Sequence, residues 1–315
     1  MAFDVSGLPV LQRNDISKFY TRAILEAKMA SFMRLLPNVK STVNIPDVEH
    51  DYDLLQKGSC NRTTRGSTTF DERTITVHDI LIAEDFCIKD LENTIIESVI
   101  AQGANTDKLP DGAGLSGVIQ DLIIRNINKA LDLGIWNAVR DNADTTFLGT
   151  FTGINKRIFD ALNLGSIPLA QRLSVIPTIN NIVGIVEDMY DALPIDIRFS
   201  TQARYKLFMS WSNLRLYRKG FRTDFGALPY NQDFNRTFIE GTDIELVPAV
   251  GLDGTNKMLL SSMDNLILAT DLMGEENQLR IYPDIHWLKV HSTGQFKFGT
   301  QLHFPEEVVV NNYNV

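Results

Sequence analysis

The hydrophobic positions are most regular between Ser116 and about Asp141, where they recur every three or four residues. This spacing places them along one side of an α-helix, so the segment predicts a long helix that lies against a surface. Ser116 can cap its first turn, and Asp121 and Arg140 carry the charges that suit the two ends of a helix dipole. The helix would be roughly 39 Å long, from the rise per residue of an α-helix. The apolar residues expected to form its core include Leu122, Ile123, Ile127 and Leu131.

Gly134 interrupts this pattern inside the predicted helix. A glycine in a helix interior costs about 1 kcal/mol relative to alanine. We therefore expect a neighbouring group to pack closely against Gly134.

Weaker patterns divide the remainder of the chain into helices and strands. Helical spacing occurs in four further segments, residues 14–36, 88–103, 175–193 and 203–211. Residues 195–200 predict a strand, and residues 244–251 and 257–271 predict strands joined by a turn at Asp253 and Gly254. Residues 278–304 alternate well enough to predict a hairpin that turns at Ser292 to Gly294. The mixture indicates an α+β fold with antiparallel pieces.

Residues 41–77 have no helical pattern and predict a long extended hairpin. Its legs are strand-like near Asp51–Leu55 and Phe70–Val77, and its tip, residues 57–67, is rich in glycine and hydroxyl side chains. Such a tip has little apolar surface to bury, so a partner must order it unless it is disordered.

Positive charge is concentrated in this hairpin, at Lys57, Arg62, Arg65 and Arg73. The simplest interpretation is a solvated loop. We favour the alternative, in which these four side chains dock onto an acidic surface of another subunit.

The chain has 315 residues, a formal net charge of -9 and a pI near 5.1. An acidic chain is a poor candidate for wrapping nucleic acid, which needs a basic face. No run of apolar residues is long enough to span a membrane, and the first residues do not resemble a signal peptide. Cys60 and Cys87 are not in a CxxC motif, so we expect ordinary thiols.

Motifs of known chemistry are weak or absent. Gly112, Gly114 and Gly117 spell GxGxxG, but a polar, proline-containing segment precedes them where a dinucleotide site needs a buried strand. The acidic residues from Asp47 to Asp53 alternate along a strand and are typical of a solvated edge rather than a metal site. His286 and His291 would point to opposite faces of a strand and could not readily share a metal. We therefore assign no catalytic, cofactor-binding or metal-binding residue.

The order of these parts resembles the major capsid proteins of tailed bacteriophages with the Hong Kong 97-type fold. The resemblance covers nearly the whole chain as an order of diffuse motifs. It implies an N-terminal arm and helix in residues 1–40, an extended loop in residues 41–77, and a peripheral domain in residues 78–158 and 279–315 braced by the spine helix. Residues 159–278 would form the axial domain.

The resemblance implies a structural protein and no enzyme. Copies of the chain would assemble into pentamers and hexamers of an icosahedral head, which encloses double-stranded DNA without sequence-specific binding. The chain would be found in the virion after assembly in the host cytoplasm, with no cofactor and no membrane partner. A portal is a further implied partner. Because no long scaffolding segment opens this chain, a separate scaffolding protein, or earlier removal of that segment, is also implied.

Two other functions remain open at this stage. The same architecture could form an encapsulin-like nanocompartment shell, and an uncharacterised α+β enzyme is a third possibility. Some capsid proteins crosslink a loop lysine to a neighbour's asparagine; Lys57 and Asn311 or Asn312 could take those roles, but no catalytic carboxylate can be assigned.

The predicted helix core can be tested by Ile123→Asp. The substitution would bury an unpaired carboxylate, so we expect the variant to lose soluble expression. A soluble variant with a normal thermal melt would show that this part of the helix lies on the surface.

Overall fold

The structure is a computed structural model that describes residues 29–50, 67–87, 115–200, 204–225, 238–239, 241–271, 280–284 and 289–313. For residues 115–125 it describes the backbone only. The helices are α1 (Leu115–Asn137), α2 (Ile154–Asn163), α3 (Ile182–Asp191), α4 (Ile195–Ser200) and α5 (Trp211–Phe225). The strands are β1 (Arg34–Leu36), β2 (Thr42–His50), β3 (Thr68–Thr76), β4 (His78–Cys87), β5 (Arg172–Leu173), β6 (Tyr205–Met209), β7 (Glu245–Pro248), β8 (Met258–Ser262), β9 (Leu266–Thr270), β10 (Arg280–Asp284), β11 (Lys289–Leu302) and β12 (Val309–Asn311).

The strands of the described residues form two five-stranded sheets and one two-stranded hairpin. The first sheet has the order β1-β9-β11-β10, and β4 also pairs with the long strand β11. The second sheet has the order β5-β12-β8-β6-β7 and is mixed, because β5 is parallel to β12 and β7 is parallel to β6. The hairpin consists of β2 and β3.

The second half of α1 lies on the main hydrophobic core. Leu131, Ile135 and Trp136 are each at most 1% exposed. The Trp136 ring lies 5.5 Å from that of Phe208 in the second sheet. The same core contains Phe298 of the first sheet. Both sheets therefore share one core at the end of this helix.

A polar network fixes the end of α1 beside this core. The Asn137 amide donates a hydrogen bond to the Gly251 carbonyl at 2.7 Å and accepts one from the Asn155 amide at 2.8 Å. The Tyr313 hydroxyl donates to Asn155 at 2.7 Å, and burial raises the pKa of Tyr313. Three segments that are distant in sequence are thus held at the helix end.

Gly134 has the close neighbour that its position predicts. A Cβ atom at Gly134 would lie 2.5 Å from the Phe147 ring and 3.1 Å from Phe151. The missing side chain therefore lets the turn after α1 fold back onto the helix.

The hairpin base covers the opposite face of the first sheet. Because side chains alternate along a strand, Leu266 and Leu268 of β9 join the core under α1, whereas Ile267 and Ala269 pack with Ile45 and Ile75 of the hairpin in a separate small cluster. The first sheet is thus enclosed between α1 and the hairpin base.

The predicted helix over residues 14–36 is wrong at its end, where residues 34–36 form β1. This strand pairs in parallel with β9 and places Leu35 and Leu36 against the clusters on opposite faces. Tertiary pairing overrides a helical pattern that only its earlier residues could continue. Residues 14–28 and the predicted helix over residues 88–103 lie outside the described residues.

The assignments on either side of residue 202 are reversed. Residues 195–200, predicted as a strand, form α4, in which the Pro194 carbonyl accepts hydrogen bonds from the amides of Ile197 and Arg198. Within the predicted helix over residues 203–211, residues 205–209 form β6 inside the second sheet. Leu207, Phe208 and Met209 are buried on both faces, and such a run has no period that separates strand from helix.

Three predicted boundaries also change. β11 runs without a break through the predicted turn at Ser292 to Gly294, since these residues pair with β4; β10 and β11 are instead joined through residues 285–288. The helix predicted from residue 175 begins at Ile182, and α1 ends at Asn137 rather than Asp141. The turn at Asp253 and Gly254 is present, but the strands before and after it lie on either side of β6.

Within the described ranges, no helix is both long and apolar enough to cross a membrane.

Gly299 tests how closely the hairpin base packs on β11. A Cβ atom there would lie 2.4 Å from the Thr76 carbonyl oxygen, and backbone cannot move aside cheaply. We expect Gly299→Ala to lower the free energy of unfolding by about 1–3 kcal/mol.

The matched control is Gly184→Ala in α3, where a Cβ atom meets nothing within 4 Å. Its stability should rise by up to about 1 kcal/mol through helix propensity alone. Equal stability changes for the two variants, measured by denaturant unfolding, would contradict the close contact.

Candidate assembly surfaces

The distal part of the hairpin exposes an apolar pair. Val48 and Phe70 lie directly opposite each other, with 57% and 78% of their surfaces exposed. They occupy the face opposite to that of Ile45 and Ile75, which are buried at the base. The hairpin therefore packs against its own subunit at one end and presents apolar surface at the other.

Polar side chains connect the two hairpin strands on this outer face. The Asn44 amide donates to Glu72 at 2.8 Å, and the Thr74 hydroxyl donates to Asn44 at 3.1 Å. These cross-strand bonds favour a formed ribbon without burying apolar surface.

Charged groups of the hairpin and the body meet where the hairpin leaves the sheet. Burial lowers the pKa of His303, and the carboxylate of Asp47 opposes this shift, while the guanidinium groups of Arg73 and Arg34 add to it. Burial also raises the pKa of Glu307, an effect that the hydrogen bond from the Tyr205 hydroxyl partly offsets.

Only one of the four predicted loop cations lies among the described residues. Arg73 faces the body beside Ile45 and is half-buried, and its Nε atom has no hydrogen-bond partner within the described part of the chain. It belongs to the hairpin base, so a contact with another subunit stays a prediction for it. Lys57, Arg62 and Arg65 lie outside the described residues.

The first sheet has an exposed strip on the same face as the hairpin base. Leu81 of β4 is 72% exposed and lies opposite Gln295 of β11. An Asp79–Lys297 pair at 3.8 Å lies on one side of Leu81, and on the other the Asp85 carboxylate is 2.5 Å from the His291 ring nitrogen. We refer to Leu81, Ala83, Gln295 and Thr293 with these flanking pairs as the Leu81 strip.

The second sheet also carries exposed apolar side chains. Trp211 and Val250 follow the parallel strands β6 and β7, and they are 57% and 49% exposed. Further exposed apolar residues of this region are Leu164, Leu169, Ile176 and Ile195.

The predicted core residues of the long helix are described in part. Leu131 is buried, and Ile127 is half-buried against the main core. The side chains of Leu122 and Ile123 lie outside the described part, so their role stays a prediction.

The asparagines considered for crosslinking differ in access. Asn311 is fully buried, and its side chain exchanges two hydrogen bonds with the Val175 backbone, at 3.0 and 2.9 Å. This engagement makes Asn311 a poor acceptor for a crosslink. Asn312 is half-buried in the left-handed region, with a φ of 59°.

The other residues weighed for chemistry are only partly described. No group of three or more His, Cys, Asp or Glu side chains among the described residues could hold a metal ion. Gly117 already lies within α1, and Gly112, Gly114, His286 and most of the Asp47–Asp53 segment lie outside the described residues.

Sequence reasoning missed the surfaces at Phe70 and Leu81. The isolated aromatic residue in the polar run TTFDERT was an available signal for Phe70. Leu81 lies between Ile80 and Ile82, and only the pairing with β11 shows which of these faces outward.

Comparison with known proteins gives matches at the level of structure. No model of a protein family matches the sequence, and neither does any curated protein. The solved structure of the satellite phage P4 procapsid including the size determination (Sid) protein contains a similar chain, with a TM-score of 0.64, 7% identity, and coverage of 93% of this chain and 89% of that chain. A chain of Microbacterium phage Oxtober96 has a TM-score of 0.57 and 12% identity, over 90% of each chain. The capsid of the native GTA particle gives 0.54 and 11%, over 90% of this chain and 89% of that one.

The chain therefore has the fold of phage capsid proteins. The predicted α+β fold of the Hong Kong 97 type is confirmed across nearly the whole chain. At these identities the likeness establishes the fold alone.

Glu307 offers a test of the charge cluster at the hairpin base. Its pKa is raised in the folded state, so the folded chain favours the protonated form, and this stability is present at low pH and lost as the pH rises through the raised pKa. Glu307→Gln keeps an acceptor for Tyr205 and removes the charge. Its melting temperature should exceed that of the wild type at pH 8, and the difference should shrink towards pH 5.

Glu306→Gln is the control, because the neighbouring Glu306 is exposed, and it should change the melt less. A Glu307→Gln variant that melts below the wild type at pH 8 would show that the charged form is favoured.

Proposed function

We propose that this chain is the major structural subunit of a tailed-phage capsid. Copies assemble into pentamers and hexamers of an icosahedral shell that encloses double-stranded DNA. The observation that carries this proposal is a protruding hairpin with exposed apolar surface on a chain with the capsid fold. The role is structural, without catalysis or cofactor.

The energetics of the hairpin support self-association. A two-stranded ribbon is at best marginally stable alone in water, and the distal pair Val48 and Phe70 buries little surface within its own chain. Contacts with other subunits would provide the free energy that orders the distal ribbon.

Charge supports the same proposal. The whole chain has a net charge of -9, whereas Lys57, Arg62 and Arg65 are close together in the hairpin tip. A basic tip would be attracted to the acidic surface of an identical subunit, and the attraction would weaken at high salt.

The division into domains is part of this proposal. Residues 1–40 form the arm, residues 41–77 the extended loop, residues 78–158 and 279–315 the peripheral domain, and residues 159–278 the axial domain. Strand pairing links the last two, because β9 pairs in the first sheet and β12 in the second.

The partners follow from the same role. A separate scaffolding protein and a portal would act during assembly in the host cytoplasm, and the finished subunit would reside in the virion. The acidic balance suits enclosing DNA without reading its sequence, since only local phosphate contacts are needed.

The test is replacement of residues 56–67 by a short Gly-Ser turn. The buried base of the hairpin remains, so the thermal melt of the subunit should change little. Shell formation, followed by sedimentation and electron microscopy, should be lost.

Normal shells from the shortened chain would contradict an interlocking hairpin. A large loss of subunit stability would instead show that the tip belongs to the subunit's own core. Particles that contain enzyme cargo rather than DNA would favour a nanocompartment shell.

A further inference from the structure

We propose that the Leu81 strip receives the distal hairpin of a second copy of this chain, with Val48 and Phe70 packing near Leu81. This inference rests on the proposed capsid function and names the surface that binds the hairpin.

The direction of the hairpin carries the first step. At the base, Thr76 lies over Gly299, and the Thr74 carbonyl accepts a hydrogen bond from Gln301 at 2.6 Å. From Thr76 to Thr74 the hairpin thus advances along β11 towards its carboxyl end. Leu81 lies in the other direction, because its partner on β11 is Gln295.

Distances along the strands show that the two surfaces are far apart in one subunit. Phe70 is six residues beyond Thr76, about 20 Å of strand. Gln295 is four residues from Gly299 on the opposite side, about 14 Å away. The distal hairpin therefore leads away from the Leu81 strip of its own chain.

Two different surfaces at opposite ends of one chain define a head-to-tail contact. Such contacts are not self-complementary, so each subunit can bind one neighbour through its hairpin and another through its strip. Repetition with a closing rotation gives rings, which is the geometry that a pentamer or hexamer needs.

The strip matches the distal hairpin in chemistry. Leu81 is an exposed apolar side chain in the middle of a sheet face, and the hairpin presents the exposed Val48 and Phe70. The side chains of Asp79 and Asp85 are 60% and 53% exposed, so they remain accessible to the basic tip. Because two-stranded ribbons twist strongly, the distal pair can face a surface beside the hairpin rather than only the one above its base.

The test is site-directed crosslinking in assembled particles. Cys60 and Cys87 are first replaced by serine, and Phe70→Cys and Leu81→Cys are introduced together. Oxidation, or a short bis-maleimide, should then join subunits into a ladder of dimers, trimers and larger species on a denaturing gel.

Either cysteine alone should leave monomers, since the contact joins two different surfaces. Particles that mix the two single-cysteine chains should give dimers and nothing larger. The matched control pairs Phe70→Cys with Leu164→Cys, because Leu164 is equally exposed, at 81%, but lies after α2 outside the strip. It should give no ladder.

Intact particles without the Phe70–Leu81 ladder would overturn this contact and leave the capsid function standing. Dimers from Phe70→Cys alone would also overturn it, in favour of hairpins that pair with each other. Failure of the wild-type chain to form particles at all would instead overturn the proposed function, and this inference with it.

Discussion

The packing of Trp136 at the end of α1 is the interaction on which the rest of the structure depends. Its ring is fully buried and contacts Phe208 of the second sheet, and the core around it includes Phe298 of the first. Gly251 leaves the room that this indole needs, since a Cβ atom there would lie 2.5 Å from Trp136. Without this contact the two sheets would share neither a core nor the polar network at the helix end.

This shared core fixes the two candidate contact surfaces relative to each other. The hairpin base and the Leu81 strip both belong to the first sheet, whose other face lies on the core under α1. A closed shell requires the same rotation at every repeated contact, so the surfaces must be held by a rigid body. The buried base positions the hairpin, and its exposed distal part is left for a partner.

The sequence was most informative where one regular pattern decided the structure. The long helix, the close packing at Gly134 and the extended hairpin all followed from periodicity or from its absence. Residues 195–209 were predicted wrongly because short apolar runs suit a strand and a helix equally. The turn predicted at Ser292 to Gly294 was wrong because pairing with β4 carries β11 through those residues. Leu81 could not be found from the sequence, since its exposure depends on a strand more than two hundred positions away.

The most direct test of the account is cryo-electron microscopy of the wild-type chain under assembly conditions, with its scaffolding protein if one is required. The account predicts closed icosahedral shells of pentamers and hexamers, in which the distal hairpin of each subunit lies on the first sheet of a neighbour. A chain that remains monomeric in all such conditions, or shells in which the hairpin touches only its own subunit, would contradict it.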